Sequence, residues 1–514
     1  MQTWDDILAT AVIGTEQREL RLATHDDELG HLLAQLSNTD RESLLLSAAS
    51  VVGLYRSAGV APPVDTQPLP EACDPENLVR SNRASAQHLA LMLDGEFGEV
   101  LQEWLAAMKS AHKRVPEEHL PALLDLGRDA WNLRSAIVPV LGKRGEWLAR
   151  QNPDWSYATP RDEKDVWETG ERQDRELLIE HLRDVDPDRA RELLATTWSQ
   201  ESAQERVAFL SRFVPGLSSS DEPFLNEALH DRGVHVRNVA RGLLARLPSE
   251  FSRRLKELAN QVLSFKKPLI GKARIEVTLP EDPIEWLKSN DIEIDSPPRA
   301  AGKSVGPKGW ALKEMISLIP TAYWVQRWQK TPIEIIRAAD ESEWRESFVE
   351  GFVAAAQRNR DPDWIEALIS YTSTDPKHTP LTELAAGLPA ARLEALILSS
   401  LKSEPAGLSD EHPAFRFLLV HRSAWSDQLS RAVVKSVKKR INQGKDSIVD
   451  WHTKAALKQF ASYVSPALSD ELVIGWPMES ESWPNWSRGV DGFQTLLAFR
   501  RDMHRAISEK EQNS

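Results

Sequence analysis

The chain has 514 residues, a single cysteine, and 77 acidic against 63 basic side chains, which gives a formal net charge of −14. Hydrophobic and charged residues at 41% and 27% are typical of a globular protein, so the composition excludes wholesale disorder, and the acidic balance excludes a surface given over to phosphate binding. With Cys73 alone, the chain can form neither an internal disulfide nor a zinc site built from paired thiolates.

The N-terminal residues do not resemble a secretory signal, because two acids occur by position six and no basic segment precedes an apolar run. The longest mostly apolar stretch, residues 44–55, has only 12 residues and includes two serines. Such a stretch is too short to cross a membrane and is typical of a buried helix. We therefore expect a cytoplasmic protein without membrane contact.

Helical periodicity dominates the chain, and residues 219–248 show it best. An apolar stripe at spacings of three and four residues predicts a helix there; it consists of Val236, Val239, Ala240, Leu243, Leu244 and Leu247. A short helix opened by a capping box at Ser219–Glu222 precedes it, and Asp231–Gly233 forms the turn between them. Asp186 and Pro187 open another helix in the same manner. Antiparallel helices with short turns predict an α-solenoid, and a helix bundle is the structural alternative.

Three stretches interrupt the helical pattern. Residues 59–75 and 296–309 are rich in proline or glycine and predict loops. Residues 274–280 alternate apolar and polar side chains and predict a strand, for which residues 292–294 are a candidate partner. We therefore expect a small β-containing insertion within a helical chain.

Three sequence blocks resemble an uncharacterised bacterial family, a domain of unknown function whose members look HEAT-like. The first block runs from Trp4 through residues 11–18, where Gln17 separates the acid from the arginine and departs from the tighter family pattern. The second block covers residues 141–155 and the third residues 221–248. In HEAT repeats an aspartate in the turn and an arginine that starts the second helix can bond between repeats, as Asp231 and Arg237 are placed to do.

The helical periodicity, the strand pattern and the resemblance together predict an all-α fold, an α-solenoid of HEAT-like helical hairpins with a small β-containing insertion. The predicted segments are an N-terminal helical segment (1–60), a second helical segment (76–160), HEAT-like repeats (161–265), a β-containing insertion with linker (266–308) and a C-terminal helical region (309–510). Members of the family are encoded beside a MoxR-type AAA ATPase, a von Willebrand factor A protein and a SWIM zinc-finger protein. This neighbourhood implies protein partners, the ATPase and the von Willebrand factor A protein above all.

Motifs that would carry catalysis are weak. Gly302-Lys303-Ser304 ends like a phosphate-binding loop, but Pro297 stands where that loop needs its first glycine. The 13 histidines form no HExxH and no pair at i, i+4, and the pairs of acidic residues are typical of a solvated face. We therefore predict no catalytic residue, no metal and no cofactor, and a non-catalytic interaction scaffold as the function.

Two basic runs favour an alternative function. Residues 253–274 and 431–445 are rich in lysine and arginine within an acidic chain. If Lys266, Lys267, Lys438 and Lys439 share one groove, they are candidate phosphate contacts of a nucleic-acid-binding HEAT-like protein or a DNA glycosylase-like enzyme. A docking face for acidic protein partners, or a plain solvated face, explains the same runs, and nucleic acid is the less favoured partner.

The edge of the hairpin at residues 231–241 is the candidate binding patch. We expect the turn and the helix start to place Asp231, Arg232, Arg237 and Arg241 on one rim, where arginines held by a packed helix make good interface anchors. In this prediction Arg241 binds a partner. A link between Asp231 and Arg237 that only joins neighbouring repeats is the structural alternative.

Overall fold

The computed structural model describes residues 2–22, 27–36, 40–58, 70–160, 162–294, 306–372, 381–404, 407–443 and 450–509. The chain forms two compact units, Met1–Ala72 and Cys73–Ser514. Most of the predicted loops at 59–75 and 296–309, including Gly302-Lys303-Ser304, lie outside the described residues. The end of the second loop is corrected, because a helix already begins at Pro307. The finer division into five segments stays a prediction.

The first unit contains α1 (Gln2–Ile13), α2 (Glu28–Ala34) and α3 (Arg41–Ser57). Aspartates cap the second and third helices, since Asp27 accepts from the Gly30 amide at 2.7 Å and Asp40 from the Ser43 amide at 2.9 Å. Its core is small and consists of the buried residues Ile7, Leu33, Ala48 and Val52.

The second unit is helical apart from two strand pairs. Its first helices are α4 (Arg83–Leu93), α5 (Leu101–Ser110), α6 (Leu120–Asp129), α7 (Arg134–Ile137), α8 (Gly142–Gln151), α9 (Glu163–Thr169), α10 (Arg172–Val185), α11 (Pro187–Thr197), α12 (Ala203–Ser211), α13 (Glu222–Ala228), α14 (Val234–Leu244), α15 (Glu250–Val262) and α16 (Pro283–Ser289). Its later helices are α17 (Pro307–Leu318), α18 (Thr321–Trp328), α19 (Pro332–Asp340), α20 (Arg345–Asn359), α21 (Pro362–Thr372), α22 (Leu381–Ala386), α23 (Ala390–Ser403), α24 (Pro413–Val420), α25 (Asp427–Asn442), α26 (Trp451–Ala461), α27 (Ser469–Leu472) and α28 (Trp483–Ser508). The strands are β1 (Val79–Arg80), β2 (Lys113–Arg114), β3 (Leu263–Lys266) and β4 (Arg274–Val277). The structure thus confirms the predicted all-α fold class with a small β-containing insertion.

The hairpin predicted at residues 219–248 is present as α13 and α14, which pack on each other. Its capping box lies one residue earlier than predicted, at Ser218 and Asp221, because residues 219–221 form a 3₁₀ turn before α13 begins. Asp186 caps α11 ahead of Pro187, as the sequence indicated. Local sequence therefore places these helix ends to within one residue.

A fully buried ion pair, which the sequence analysis did not predict, ties successive hairpins together. The Arg183 guanidinium of α10 donates to both carboxylate oxygens of Asp221 at 2.9 Å, and Arg191 of α11 reaches the same carboxylate at 3.2 Å. Arg183 also lies over the Phe213 ring at 4.4 Å and donates to the Pro215 carbonyl. Because a buried charge is tolerated only when it is paired and hydrogen-bonded, this network fixes how α10, α11 and the turn before α13 meet.

The β insertion differs from its prediction in its partner strand. β4 occupies the predicted strand region, but it pairs antiparallel with β3, with Leu263 opposite Val277 and Lys266 opposite Arg274. Pairing with residues 292–294 is therefore wrong. The physical reason is loop closure, because β3 and β4 are joined by a short loop, whereas α16 stands between β4 and residue 292.

The last helix of the chain packs on the first helices of the second unit. α28 contacts α26 and α27 and then also α4 and α5. Arg500 of α28, only 2% exposed, donates to both carboxylate oxygens of Glu103 of α5, at 2.6 and 2.8 Å. The Phe499 ring stacks on that of Phe97 with centroids 4.1 Å apart, and Asn82 donates to the Ala506 carbonyl at 2.7 Å. The two ends of the helical array of this unit thus meet.

We expect Arg500→Met to lower the free energy of unfolding by about 3 kcal/mol, because it breaks a buried charge pair and strips donors from main-chain carbonyls. Arg501→Met is the matched control on the same helix. Arg501 pairs with Asp470 and Asp502 nearer the surface, so its loss costs about 0.5–1 kcal/mol. Urea unfolding of the full chain measures both, and equal costs would contradict the role given to Arg500.

The pair also predicts a dependence on pH. Burial raises the pKa of Glu103, but the hydrogen bonds from His504 and Arg500 outweigh it and leave the pKa below its ordinary value of 4.5. A carboxylate with a lowered pKa stabilises the fold above the pKa of the unfolded chain, and this contribution is lost as the pH falls through the folded value. The stability difference between wild type and Glu103→Gln, followed by urea unfolding at several pH values, should therefore shrink below about pH 4.5. A difference independent of pH would refute this.

Candidate interaction site

The turn of the predicted rim is held by hydrogen bonds and an ion pair to residues of the same protein. The Asp231 carboxylate accepts from the Gly233 amide at 2.7 Å and pairs with Arg206 of α12 at 2.8 Å. Arg237 donates to the main-chain carbonyls of Asp231 and Arg232, at 2.9 and 3.3 Å. Asp231 thus links its hairpin to the preceding helix through Arg206. The Asp231 carboxylate therefore has the structural role that the sequence analysis gave as the alternative, but its partner is Arg206, which we did not predict.

Arg241 does not lie on an exposed rim, and its predicted placement is wrong. It is only 4% exposed and donates to the Glu293 carbonyl and the Asn238 side chain. The physical reason is that residues 292–294, which we expected to form a strand, lie against this side of α14 and bury Ile292 and Ile294. Arg237 and Arg241 do share a cavity of about 170 Å³, while Arg232 is exposed. A binding role for the three arginines stays a prediction.

The four candidate lysines lie in two different surroundings. Lys266 ends β3 and Lys267 follows it, and both are exposed. Lys438 of α25 donates to the Ile474 carbonyl at 2.5 Å and lies 5.0 Å from the centroid of the Trp476 ring, and burial lowers its pKa. Lys439 is exposed on the same helix. Lys438 is thus engaged by its own fold, which weakens the prediction of a shared phosphate groove.

The loop between β3 and β4 carries the most exposed apolar side chains of the described residues. Leu269 and Ile270 have relative exposures of 106% and 93%. Lys266, Lys267 and Lys272 flank them, so residues 266–272, here called the hairpin tip, present two aliphatic side chains within a basic collar. Sequence reasoning found the lysines but missed the aliphatic pair, although Leu-Ile between Pro268 and Gly271 lies outside any helical or alternating pattern.

A cavity of about 530 Å³ lies beside the hairpin tip. Residues of the tip, α19 and α21 line it, among them Phe265, Lys267, Lys272, Ile333, Arg337 and Tyr371. Several of its charges are paired, since Lys272 contacts Glu341 at 2.5 Å and Lys330 lies 3.7 Å from Glu334. Burial raises the pKa of Tyr371, and its hydroxyl donates to Asp340. Lys267 and Arg337 have no acceptor among the described residues, so the cavity adds positive charge to the side of the tip.

Within the described ranges, no group of three or more histidine, cysteine or acidic side chains is placed to hold a metal ion. No helix in these ranges is long and apolar enough to cross a membrane. The arrangement at the hairpin tip offers apolar contact and charge, both of which can serve recognition.

The burial of Arg241 generates a stability prediction. Arg241→Ala should lower the melting temperature, because it removes the donor to the Glu293 carbonyl and leaves space beside α14. Arg232→Ala, at the exposed position on the same hairpin, is the control and should leave melting unchanged. Differential scanning calorimetry of both variants measures this, and an unchanged melting temperature for Arg241→Ala would contradict the structural role given to Arg241.

Comparisons with known proteins give one result. No curated protein matches the chain, and no solved structure matches it. One family model matches residues 6–507, which is nearly the whole chain and spans both compact units. The protein therefore belongs to this family, described as a family of unknown function (DUF5691).

Proposed function

We propose that the protein is a non-catalytic protein-interaction scaffold that binds a partner through the hairpin tip. The observation that carries this proposal is the full exposure of Leu269 and Ile270 at the end of a hydrogen-bonded hairpin. Burying one such side chain against a partner is worth about 1.5–3 kcal/mol. Two adjacent anchors on a paired hairpin lose little freedom on binding, which makes them suitable hot spots.

The chemistry of the tip favours a protein partner with an apolar pocket rimmed by acidic side chains. The aliphatic pair fits the pocket, while the exposed Lys266 and Lys267 complement the rim. A nucleic-acid backbone would use the lysines but would leave Leu269 and Ile270 in water. The tip therefore supports a protein partner over the nucleic-acid-binding or glycosylase-like alternative.

The family resemblance suggests who this partner is. We take the MoxR-type AAA ATPase or the von Willebrand factor A protein as the partner, and the cytoplasm as the place where they meet. We further propose that the hairpins are HEAT-like repeats, since the ion pair between Arg206 of the preceding helix and Asp231 links neighbouring hairpins. Stacked hairpins of this kind offer extended binding surfaces.

The test is a pull-down from native cells at physiological salt with the full chain as bait. Wild type should recover the ATPase or the von Willebrand factor A protein. Leu269→Asp combined with Ile270→Asp should reduce recovery at least about tenfold, since a loss of 1.4 kcal/mol already has that effect. Val12→Asp combined with Val185→Asp, which places the same two charges at exposed valines of α1 and α10, should recover the partner as wild type does.

Two outcomes would contradict the proposal. One is the absence of both partners from the wild-type pull-down, and the other is equal recovery by the tip variant. Charge reversal at Lys266 and Lys267 tests the alternative, nucleic-acid-binding function. Lys402→Glu on α23, at another exposed lysine, is the control. Tight, salt-dependent binding of DNA or RNA that only the first pair of substitutions removes would establish nucleic acid as the ligand instead.

A further inference from the structure

The cavity beside the hairpin tip has the size and the lining of a small-molecule site. Its volume is about 530 Å³, and ligand pockets typically span roughly 300–1,000 Å³. Apolar side chains supply part of the lining, namely Phe265 of β3, Ala273 before β4, and Ile333 and Ala338 of α19. Ala338 is only 1% exposed, and Phe265 and Ala273 are partly buried against the core. A ligand in this cavity therefore contacts an apolar surface.

Contacts between the elements that form the cavity hold its walls in place. Lys272 of the hairpin tip pairs with Glu341 at the end of α19, at 2.5 Å, and β4 packs on α19. The Phe265 ring lies 5.8 Å from the ring of Trp328 in α18, and α19 in turn packs on α21. The cavity is thus formed before a ligand binds, which lowers the entropic cost of binding.

The acidic side chains of the cavity are already matched by cations. Three of them line it, and each has a basic partner: Glu334 pairs with Lys330 at 3.7 Å, Asp340 with Arg345 at 2.6 Å, and Glu341 with Lys272. Asp340 also accepts a hydrogen bond from the Tyr371 hydroxyl. These carboxylates are therefore engaged and do not balance any further positive charge in the cavity.

Two further cations, Lys267 and Arg337, line the cavity without a partner. Neither has a hydrogen-bond acceptor or an ion-pair partner among the described residues. They come from different elements, since Lys267 belongs to the hairpin tip and Arg337 to α19. Their charges favour an anion, and the planar guanidinium fork of Arg337 matches the oxygens of a carboxylate or a phosphate. Unpaired cations are common on protein surfaces, but these two border a preformed cavity with an apolar lining.

We propose that this cavity binds a small organic anion, a molecule with an apolar body and carboxylate or phosphate groups. The body lies against the apolar lining, and the charged groups reach Lys267 and Arg337. An inorganic ion uses the cations but leaves the apolar lining in water, so the organic anion is the better complement. The proposal does not rest on the proposed function, because Arg337 is no part of the hairpin tip, and either can fail without the other.

The test is a calorimetric titration of the full chain at constant ionic strength with four probes. Phenyl phosphate and phenylsuccinate combine an apolar ring with negative charge, whereas inorganic phosphate lacks the ring and benzyl alcohol lacks the charge. At least one of the two ring-bearing anions should bind wild type at least tenfold more tightly than either incomplete probe, since ring burial and charge both contribute. The tighter of the two anions assigns the charged group of the ligand as phosphate or carboxylate.

Three variants locate the binding site. Arg337→Gln should weaken the binding of that anion at least tenfold, because it removes one of the two unpaired cations. Ser370→Trp should also weaken it, because Ser370 is an exposed lining residue and the larger side chain takes up space in the cavity. Arg416→Gln, at an exposed arginine of α24 outside the cavity, is the matched control and should bind as wild type does.

Melting temperatures separate a loss of binding from a loss of folding. Without ligand, Arg337→Gln should melt at the wild-type temperature, because this exposed side chain has no partner among the described residues to lose. At an anion concentration that saturates wild type, wild type and Arg416→Gln should gain stability and Arg337→Gln should gain much less. The proposal is overturned if wild type binds neither ring-bearing anion more tightly than the incomplete probes, or if Arg337→Gln binds them as tightly as wild type.

Discussion

The guanidinium of Arg500 is the point on which the second unit depends. It donates to both oxygens of Glu103, and also to the carbonyls of Ala461 and Val464, at 2.6 and 2.5 Å. One buried side chain of α28 thus joins the beginning of the unit, through α5, to the end of α26 and the turn after it. Because the Arg500 guanidinium, only 2% exposed, would otherwise be buried without partners, its position is strongly specified.

The contact between the first and last helices of the second unit changes which faces its terminal helices expose to solvent. In an open array the terminal hairpins need polar outer faces, since each repeat contacts only its neighbours. Here α4 and α5 find α28 as their neighbour, and the stacked rings of Phe97 and Phe499 cover the junction. The helices at both ends of the unit thus pack on one another, and the proposed function assigns recognition to what projects from them. The hairpin tip does so, because Leu269 and Ile270 contribute nothing to the core.

Sequence periodicity predicted what is local and failed where contacts are distant or irregular. The apolar stripe from Val236 and the cap at Asp186 are determined by neighbouring residues, so they were predictable. The pairing of Arg500 with Glu103 spans nearly the whole unit, and no local pattern encodes it. Arg241 lies off the apolar stripe and was placed in solvent for that reason, but the irregular segment around Glu293 covers it.

The candidate site was predictable to a similar degree. The run of basic residues indicated Lys266 and Lys267, because charge density is visible in a sequence. The exposure of Leu269 and Ile270 depends on β3 pairing with β4, which places the two residues in the loop that joins the strands. An isolated apolar pair is more often core than surface, so its exposure follows only from the fold.

Hydrogen exchange of the full wild-type chain, resolved by peptide, most directly tests whether α28 holds the two ends of the second unit together. If α28 and α5 hold the ends together, amides of both helices should open with free energies close to those of interior helices such as α14 and α20. Rapid exchange confined to α28 and to α4 and α5, with the interior helices protected, would show frayed ends and contradict the account.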